Sequence, residues 1–239
     1  LLVPVPSIGV FAAMILFPNS PTGAVIFAIC KLWLFAFPAL WFKYAEKGKF
    51  RLSPPQKGGL FMGLVAGVLI SLAIFLFYML AGARLIDSSL IIDKIENTGL
   101  ASPARYIGAA AYWILVNSIL EEYVWRWFVV RQLQTLVSKV PAILCSALFF
   151  TLHHIVAMQI YLSPLAVLVC SAGIFIGGAV WSLMYIRYKS IFPGYLSHAI
   201  VDLTIFAIGA SIIFGGSFFI FDFNVILIFH ALGLSYNQF

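Results

Sequence analysis

Residues 117–128 read NSILEEYVWRWF. Two adjacent glutamates, Glu121 and Glu122, followed by Arg126, interrupt an apolar run that continues on both sides. What surrounds the stretch decides how those charges are read. The 239-residue chain is 63% hydrophobic and 9% charged, whereas a soluble domain carries about 25% charged residues. This composition belongs to a polytopic membrane protein. The net charge of +6 fits the basic excess of cytoplasmic loops and gives no case for a nucleic-acid partner. Cys30, Cys145 and Cys170 lie singly in apolar segments without CxxC spacing and read as packing residues.

A spanning helix needs roughly 17–25 mainly apolar residues. The candidates are 2–17, 22–43, 58–82, 106–131, 140–160, 164–187, 191–213 and 217–234. The expected fold class is therefore all-α, a polytopic transmembrane helical bundle of about eight spans, organised as a single domain over 1–239. Turn signals separate the spans: PNSP at 18–21, LSP at 162–164 and GGS at 215–217. Two longer connections remain, 43–57 and 84–105. Within the second, Leu85, Ile86, Ile91, Ile92 and Ile95 can form one apolar face of a short interfacial helix, either a docked outer loop or a substrate gate. The first span is the weakest, because Pro4 and Pro6 interrupt it.

Loop charge gives an orientation. With the N-terminus inside, Lys43, Lys47, Lys49, Arg51, Lys57, Arg131, Lys139, Arg187 and Lys189 fall on the inner side, and Arg84, Lys94 and Arg105 on the outer. That follows the positive-inside rule, with both termini cytoplasmic.

The acidic residues carry the functional signal. Glu121, Glu122 and Asp202 lie within spans, and Asp222 sits near the start of the last one. A charge at the bilayer centre costs about 2.5–3.5 kcal/mol, so Glu121, Glu122, Arg126 and Asp202 left unpaired would cost on the order of 10 kcal/mol together. An intramembrane cluster of this kind marks a functional site. Glu122 and Arg126 are four apart and share a helix face. Glu121 is rotated about 100° away and stays clear of that pair, so it is the candidate general base. In SALFFTLHHIV (146–156), His153 and His154 sit deep in a span. In YLSHAIVDL (195–203), His198 and Asp202 are four apart on one face. Gly59, Gly63 and Gly67 suit close helix packing within the chain, as do Gly173 and Gly177. Lys31 lies mid-span and is expected to snorkel or to pair with an acid. His230 and Asn224 read as helix–helix hydrogen-bonding groups.

The pattern EEYVWR, then FTLHH, then HAIVD resembles the CPBP intramembrane endopeptidase family, over a core at about 106–213. That family includes the type II CAAX prenyl endopeptidases and bacterial abortive-infection and bacteriocin-immunity proteins. Its EExxxR, FxxxH and HxxxN/D motifs correspond here to Glu121-Glu122-xxx-Arg126, Phe150-xxx-His154 and His198-xxx-Asp202. Phe149-xxx-His153 satisfies the second motif in another frame, and alignment with a typical SALLFALAH favours His154.

The resemblance implies an intramembrane peptidase acting near the C-terminus or membrane anchor of a membrane-anchored protein or peptide. It implies that Glu121 and His154 activate water, and that Glu122 and Arg126 hold the site together or contact substrate. His198 and residue 202 would stabilise the oxyanion. The CAAX branch commonly has Asn at this last position. An ionised Asp202 only accepts hydrogen bonds, so its expected task is to orient His198. The resemblance points to a metal-free glutamate protease without a cofactor. Zinc held by Glu121, His154 and His198, with Asp202 in support, is the rival mechanism. A non-catalytic immunity or binding protein with the same motifs is the rival function. The expected location is a bacterial inner membrane.

Overall fold

Proline and short polar residues set where this chain turns, and apolar runs fill what lies between. A computed structural model describes residues 2–50 and 54–215. Helix α1 spans Val5–Leu16, α2 Pro21–Ala45 and α3 Gly59–Gly82. A short α4 spans Ser88–Thr98, and a continuous helical run, α5, covers residues 103–136. Helices α6 (Lys139–Met158), α7 (Pro164–Tyr188) and α8 (Phe192–Phe214) complete the described chain. Among the described residues there is no strand. Helices α2, α3, α6, α7 and α8 are long and apolar enough to cross a membrane, so the molecule is a polytopic helical bundle. The expected last span, 217–234, lies outside the described residues, as do Arg51, Asp222, Asn224 and His230.

The turn signals work as caps. Ser20 accepts the Thr22 N–H at 3.2 Å ahead of Pro21. Ser163 accepts the Ala166 N–H at 3.3 Å ahead of Pro164. Each places Pro at the first helical position, where its missing N–H costs nothing. Helix α4 starts at Asp87, whose side chain accepts from the Ser89 and Leu90 amides, and stops at Gly99 with φ 73°. The left-handed residue there is what a C-cap glycine supplies. The first expected span is corrected: α1 runs only from Val5 to Leu16, short of a full crossing. Pro4 and Pro6 confine its start.

The glycine stripe on α3 determines where α8 lies. A Cβ at Gly63 would overlap the Pro193 carbonyl, and one at Gly67 would come within 3.0 Å of Ser197 Cα. The two backbones therefore meet closely within one chain, as the spacing predicts. Gly173, in contrast, has nothing near it, and the nearest atoms to Gly177 belong to Trp181 of its own helix. Leu32, Phe61, Leu80, Leu168, Ile176 and Leu183 are exposed around the bundle, as a lipid-facing surface requires. At the other end of α5, Arg131 pairs with Glu46 at 2.9 Å, and Gln132 donates to the same carboxylate at 2.6 Å. The Arg131 guanidinium also lies over the rings of Phe42 and Trp127. This ties the 43–57 connection to the end of α5.

Candidate active site

The site is built on a change of helix pitch. In α5 the α-helical turn Ser118–Glu122 is flanked by π-helical stretches, Tyr112–Asn117 and Tyr123–Val130. A π turn holds more residues than an α turn, and such insertions recur at functional sites. The widened turns need support for displaced backbone groups. Ser146 of α6 supplies it for one of them, donating its hydroxyl to the Trp125 carbonyl at 3.0 Å, while Tyr123 OH ties the stretch to α2 through the Phe35 carbonyl at 3.1 Å. The outcome is a helix with two polar faces. Asn117, Leu120, Glu121 and Val124 line a cavity of about 550 Å³. Ser118, Glu122 and Arg126 are fully buried on the other side.

The buried face is a clamp. Glu122 Oε1 lies 3.5 Å from Arg126 Nε and accepts from His198 Nδ1 at 3.2 Å. The Arg126 contact is an ion pair rather than an aligned hydrogen bond, since the guanidinium N–H groups have no hydrogen-bond partner among the described residues. The cation instead lies 4.6 Å from the Phe150 ring centroid and 5.3 Å from that of Trp181, where ring quadrupoles stabilise it. Trp181 also stacks on the His198 imidazole at 4.0 Å and donates its indole N–H to Ser197 at 2.9 Å. Gly194 is needed beside this cluster, because a Cβ there would strike Glu122 Oε2.

Glu121 has different company. Its Oε1 is 3.6 Å from His153 Nε2, and its Oε2 is 3.6 Å from His198 Nε2. It makes no ion pair with Arg126 or Lys31 within 4.0 Å among the described residues. One carboxylate thus stands between two imidazoles at the cavity wall. His153 stacks on Trp125 with the rings 4° from parallel. His154 has its Nδ1 2.8 Å from the Phe150 carbonyl. A carbonyl only accepts, so Nδ1 carries the proton and a neutral His154 has its lone pair on Nε2. Glu121, His153 and His154 present ligand atoms within 4.8 Å of one another. Both histidine frames of the second motif therefore reach the same carboxylate.

Asp202 accepts the Ser118 hydroxyl at 2.7 Å, and its Oδ2 lies 3.7 Å from His198 Nε2. The structure thus gathers Glu121, Glu122, Arg126, His154, His198 and Asp202 around the meeting of α5, α6 and α8. Three partners went unread in the sequence: Ser118, Asn117 and Gly194. Asn117 and Ser118 stand one turn before Glu121 and Glu122, so i,i+4 spacing could have found them. Lys31 departs from expectation. It donates to the neutral Asn117 side chain at 2.8 Å, because α2 meets α5 one turn above Glu121.

The cavity is mostly apolar. Its walls include Phe27, Leu34 and Phe35 from α2, and Ile95 with Thr98 from α4. Its polar groups are Lys31, Asn117, Glu121, His153 and His154, together with Thr98 and Tyr161. The donors of Glu121, His153 and His154 suit zinc in type and number, and the Phe150 carbonyl on His154 is the kind of support that metal-binding histidines receive. This grouping has His153 where the sequence suggested His198.

Residues 103–204 match the family model described as type II CAAX prenyl endopeptidase Rce1-like. That stretch runs from the start of α5 to just beyond Asp202 and holds all three motifs. No curated protein and no solved structure gives a match. The match agrees with the resemblance read from the motifs: over residues 103–204 this membrane protein is similar to the CAAX-protease family.

Proposed function

We propose that this CAAX-protease-like chain is an intramembrane endopeptidase that hydrolyses a peptide bond near the C-terminus or membrane anchor of a membrane-anchored substrate. Glu121 is its general base. One observation carries this reading: Glu121 lines the cavity between imidazoles, while the adjacent Glu122 is buried in an ion pair. A water held between the Glu121 carboxylate and His154 Nε2 gives up a proton to Glu121 as its oxygen attacks the carbonyl carbon. With Nδ1–H donated to Glu122, His198 acts as the imidazolium, a form that the surrounding carboxylates of Glu121, Glu122 and Asp202 favour; its Nε2–H faces Glu121 and is the donor available to the oxyanion. Collapse of the tetrahedral intermediate breaks the C–N bond, and Glu121 returns the proton to the leaving amine. Asp202, held by Ser118, orients His198. Glu122 and Arg126 lie off the cavity wall and act by holding His198 in place.

The test compares membranes containing wild type with membranes containing Glu121→Ala, incubated with candidate tails and read by mass spectrometry. A prenylated C-terminal motif and a bacterial C-terminal sorting segment are the two substrate classes to include. New C-termini with wild type alone support the proposal. Identical C-termini in both, across tails and across membrane-anchored proteins of cells with and without this chain, contradict it.

A second reading has one observation in its favour, the convergence of Glu121, His153 and His154 within 4.8 Å. Zinc bound by those residues would polarise a water. In the glutamate reading, elemental analysis of purified protein finds well under one equivalent of zinc and chelators leave turnover unchanged. Stoichiometric zinc, with activity lost to chelation and restored by zinc, would make Glu121 a ligand. The proposed setting is a bacterial inner membrane with the 43–57 connection cytoplasmic. Labelling Lys47→Cys from outside intact cells would refute that orientation, and labelling Ser88→Cys from outside would support it.

A further inference from the structure

We propose that the cavity opens to the extracytoplasmic side, so that the substrate is cut on a segment that has crossed the membrane rather than on a cytoplasmic tail. This rests on the endopeptidase reading above and on the orientation given with it. Glu121 divides the cavity wall of α5. Ahead of it in sequence, Ala109, Trp113 and Asn117 line the cavity, and the 84–105 connection adds Ile95, Thr98 and Leu100. Among the described lining residues, Thr98 and Trp113 are the exposed ones, and both lie on this side of Glu121. Trp113 stands eight residues before Glu121, about 12 Å at the rise of an α-helix. The polar lining groups of Thr98, Asn117 and Tyr161 lie on the same side and give water a path to the carboxylate.

The opposite end is filled. Val124 and Trp125, the lining residues that follow Glu121, are buried in one core cluster with Leu34, Phe128 and Phe150. Beyond them, rings pack the seam between α2 and α5. Phe37 meets Phe128 edge-on at 5.8 Å, Trp127 stacks on Tyr123 at 5.0 Å, and Phe42 meets Trp127 at 5.1 Å. The Arg131–Glu46 pair lies at the end of that seam. Close packing of this kind leaves no passage for a peptide or for water. Charge separates the two ends in the same sense. The filled end carries the basic excess of the 43–57 connection together with Arg131 and Lys139, whereas acids offset the few basic residues of the 84–105 connection. By the positive-inside rule the filled end is cytoplasmic. A tail confined to the cytoplasm therefore meets the packed end, and a segment exposed outside meets the mouth.

The test uses the full chain in intact cells and in inverted membrane vesicles. Cys30 lines the cavity, nine residues into α2 from Pro21 and so about 14 Å deep. Cys145→Ser and Cys170→Ser leave it as the sole thiol of the chain. The probe is sulfonatoethyl methanethiosulfonate, a small anion that stays out of hydrocarbon and reaches that depth only through water. Ser88→Cys and Lys47→Cys, each with all three native cysteines replaced, report which end faces outward. Cys30 and Ser88→Cys should both gain the mass of the label in intact cells, and Lys47→Cys should gain it only in inverted vesicles. Labelling of Cys30 in inverted vesicles alone, or in neither preparation, would overturn the proposal. Labelling of Lys47→Cys in intact cells would overturn it as well, since the mouth would then face the cytoplasm. The substrate is read by mass spectrometry of membranes with wild type and with Glu121→Ala. New termini should fall on extracytoplasmic segments, and new termini confined to cytoplasmic tails would overturn the proposed substrate class. Labelling needs no turnover, so the two readings fail separately. Outward labelling of Cys30 without any cleavage keeps the opening and removes the endopeptidase with its substrate. Cleavage with Cys30 reached only from the cytoplasmic side keeps the endopeptidase and removes the opening.

Discussion

Glu121 stands at the wall of a cavity of about 550 Å³, whereas Glu122, the next residue, is fully buried and bonded to His198 and Arg126. The same side chain on the same helix meets two environments because one residue of helix rotates it by about 100°. The difference teaches how a doublet of acids divides labour. The carboxylate at the cavity can exchange a proton with something that enters. The buried one is committed to a cation and an imidazole and sets where the imidazole points. In the proposed mechanism the first acts on the substrate and the second holds the packing.

The largest effect should come from the cavity side. Glu121→Gln should lower turnover by about 10²–10⁴-fold, the range for a positioned general base, and leave the melting temperature near wild type. A cleavage assay beside a thermal melt checks both halves. Next comes the clamp. Glu122→Gln strands Arg126 in the interior and should cost about 3–5 kcal/mol of stability, read as a lowered melting temperature in detergent. Gly194→Ala should break the same clamp from α8, since its methyl group would strike Glu122 Oε2. Overpacking of this kind costs about 1–3 kcal/mol. A melting temperature unchanged by Gly194→Ala would mean that Glu122 can move aside at no cost.

The smallest effect lies outside the spans, at the cap of α4. The Ser89 hydroxyl and the Ser89 and Leu90 amides hold Asp87 below the ordinary carboxylate range. A carboxylate lowered by folding stabilises the folded form above its unfolded pKa of about 3.9, and that contribution is lost as the pH falls through the lower folded value. Hydrogen exchange over residues 88–98 should therefore be slowest above about pH 4, after correction for intrinsic rates. Asp87→Ala should remove that dependence and leave exchange at Glu121 untouched.

Much of this division was legible in the sequence, for definite reasons. The 3.6-residue period separates Glu121 from the Glu122–Arg126 face without any structure, and the apolar runs mark every crossing helix among the described residues. The glycine spacing on α3 predicted a close contact and found it against α8. The π-helical stretches were not legible, because no residue type encodes them. They depend on partners from elsewhere, such as the Ser146 hydroxyl on the Trp125 carbonyl. The histidine frame was not decidable for a related reason. Spacing allows both His153 and His154, and the stacking of Trp125 on His153 brings both to Glu121. Lys31 was expected to snorkel or find an acid, but its partner depends on how α2 crosses α5, which hydropathy does not contain. Ser118 escaped notice because one serine in a span usually bonds its own helix. Here it contacts the Trp113 and Ile114 carbonyls and also reaches Asp202.

The central claim is that Glu121 acts on the substrate and Glu122 acts on the fold. The most direct measurement is turnover of Glu121→Gln and Glu122→Gln on one tail substrate, taken at a temperature where both variants are folded. The account predicts that Glu122→Gln retains a measurable fraction of wild-type turnover under those conditions, while Glu121→Gln retains none above the uncatalysed background. Equal turnover in the two folded variants, or greater loss in Glu122→Gln, would contradict it.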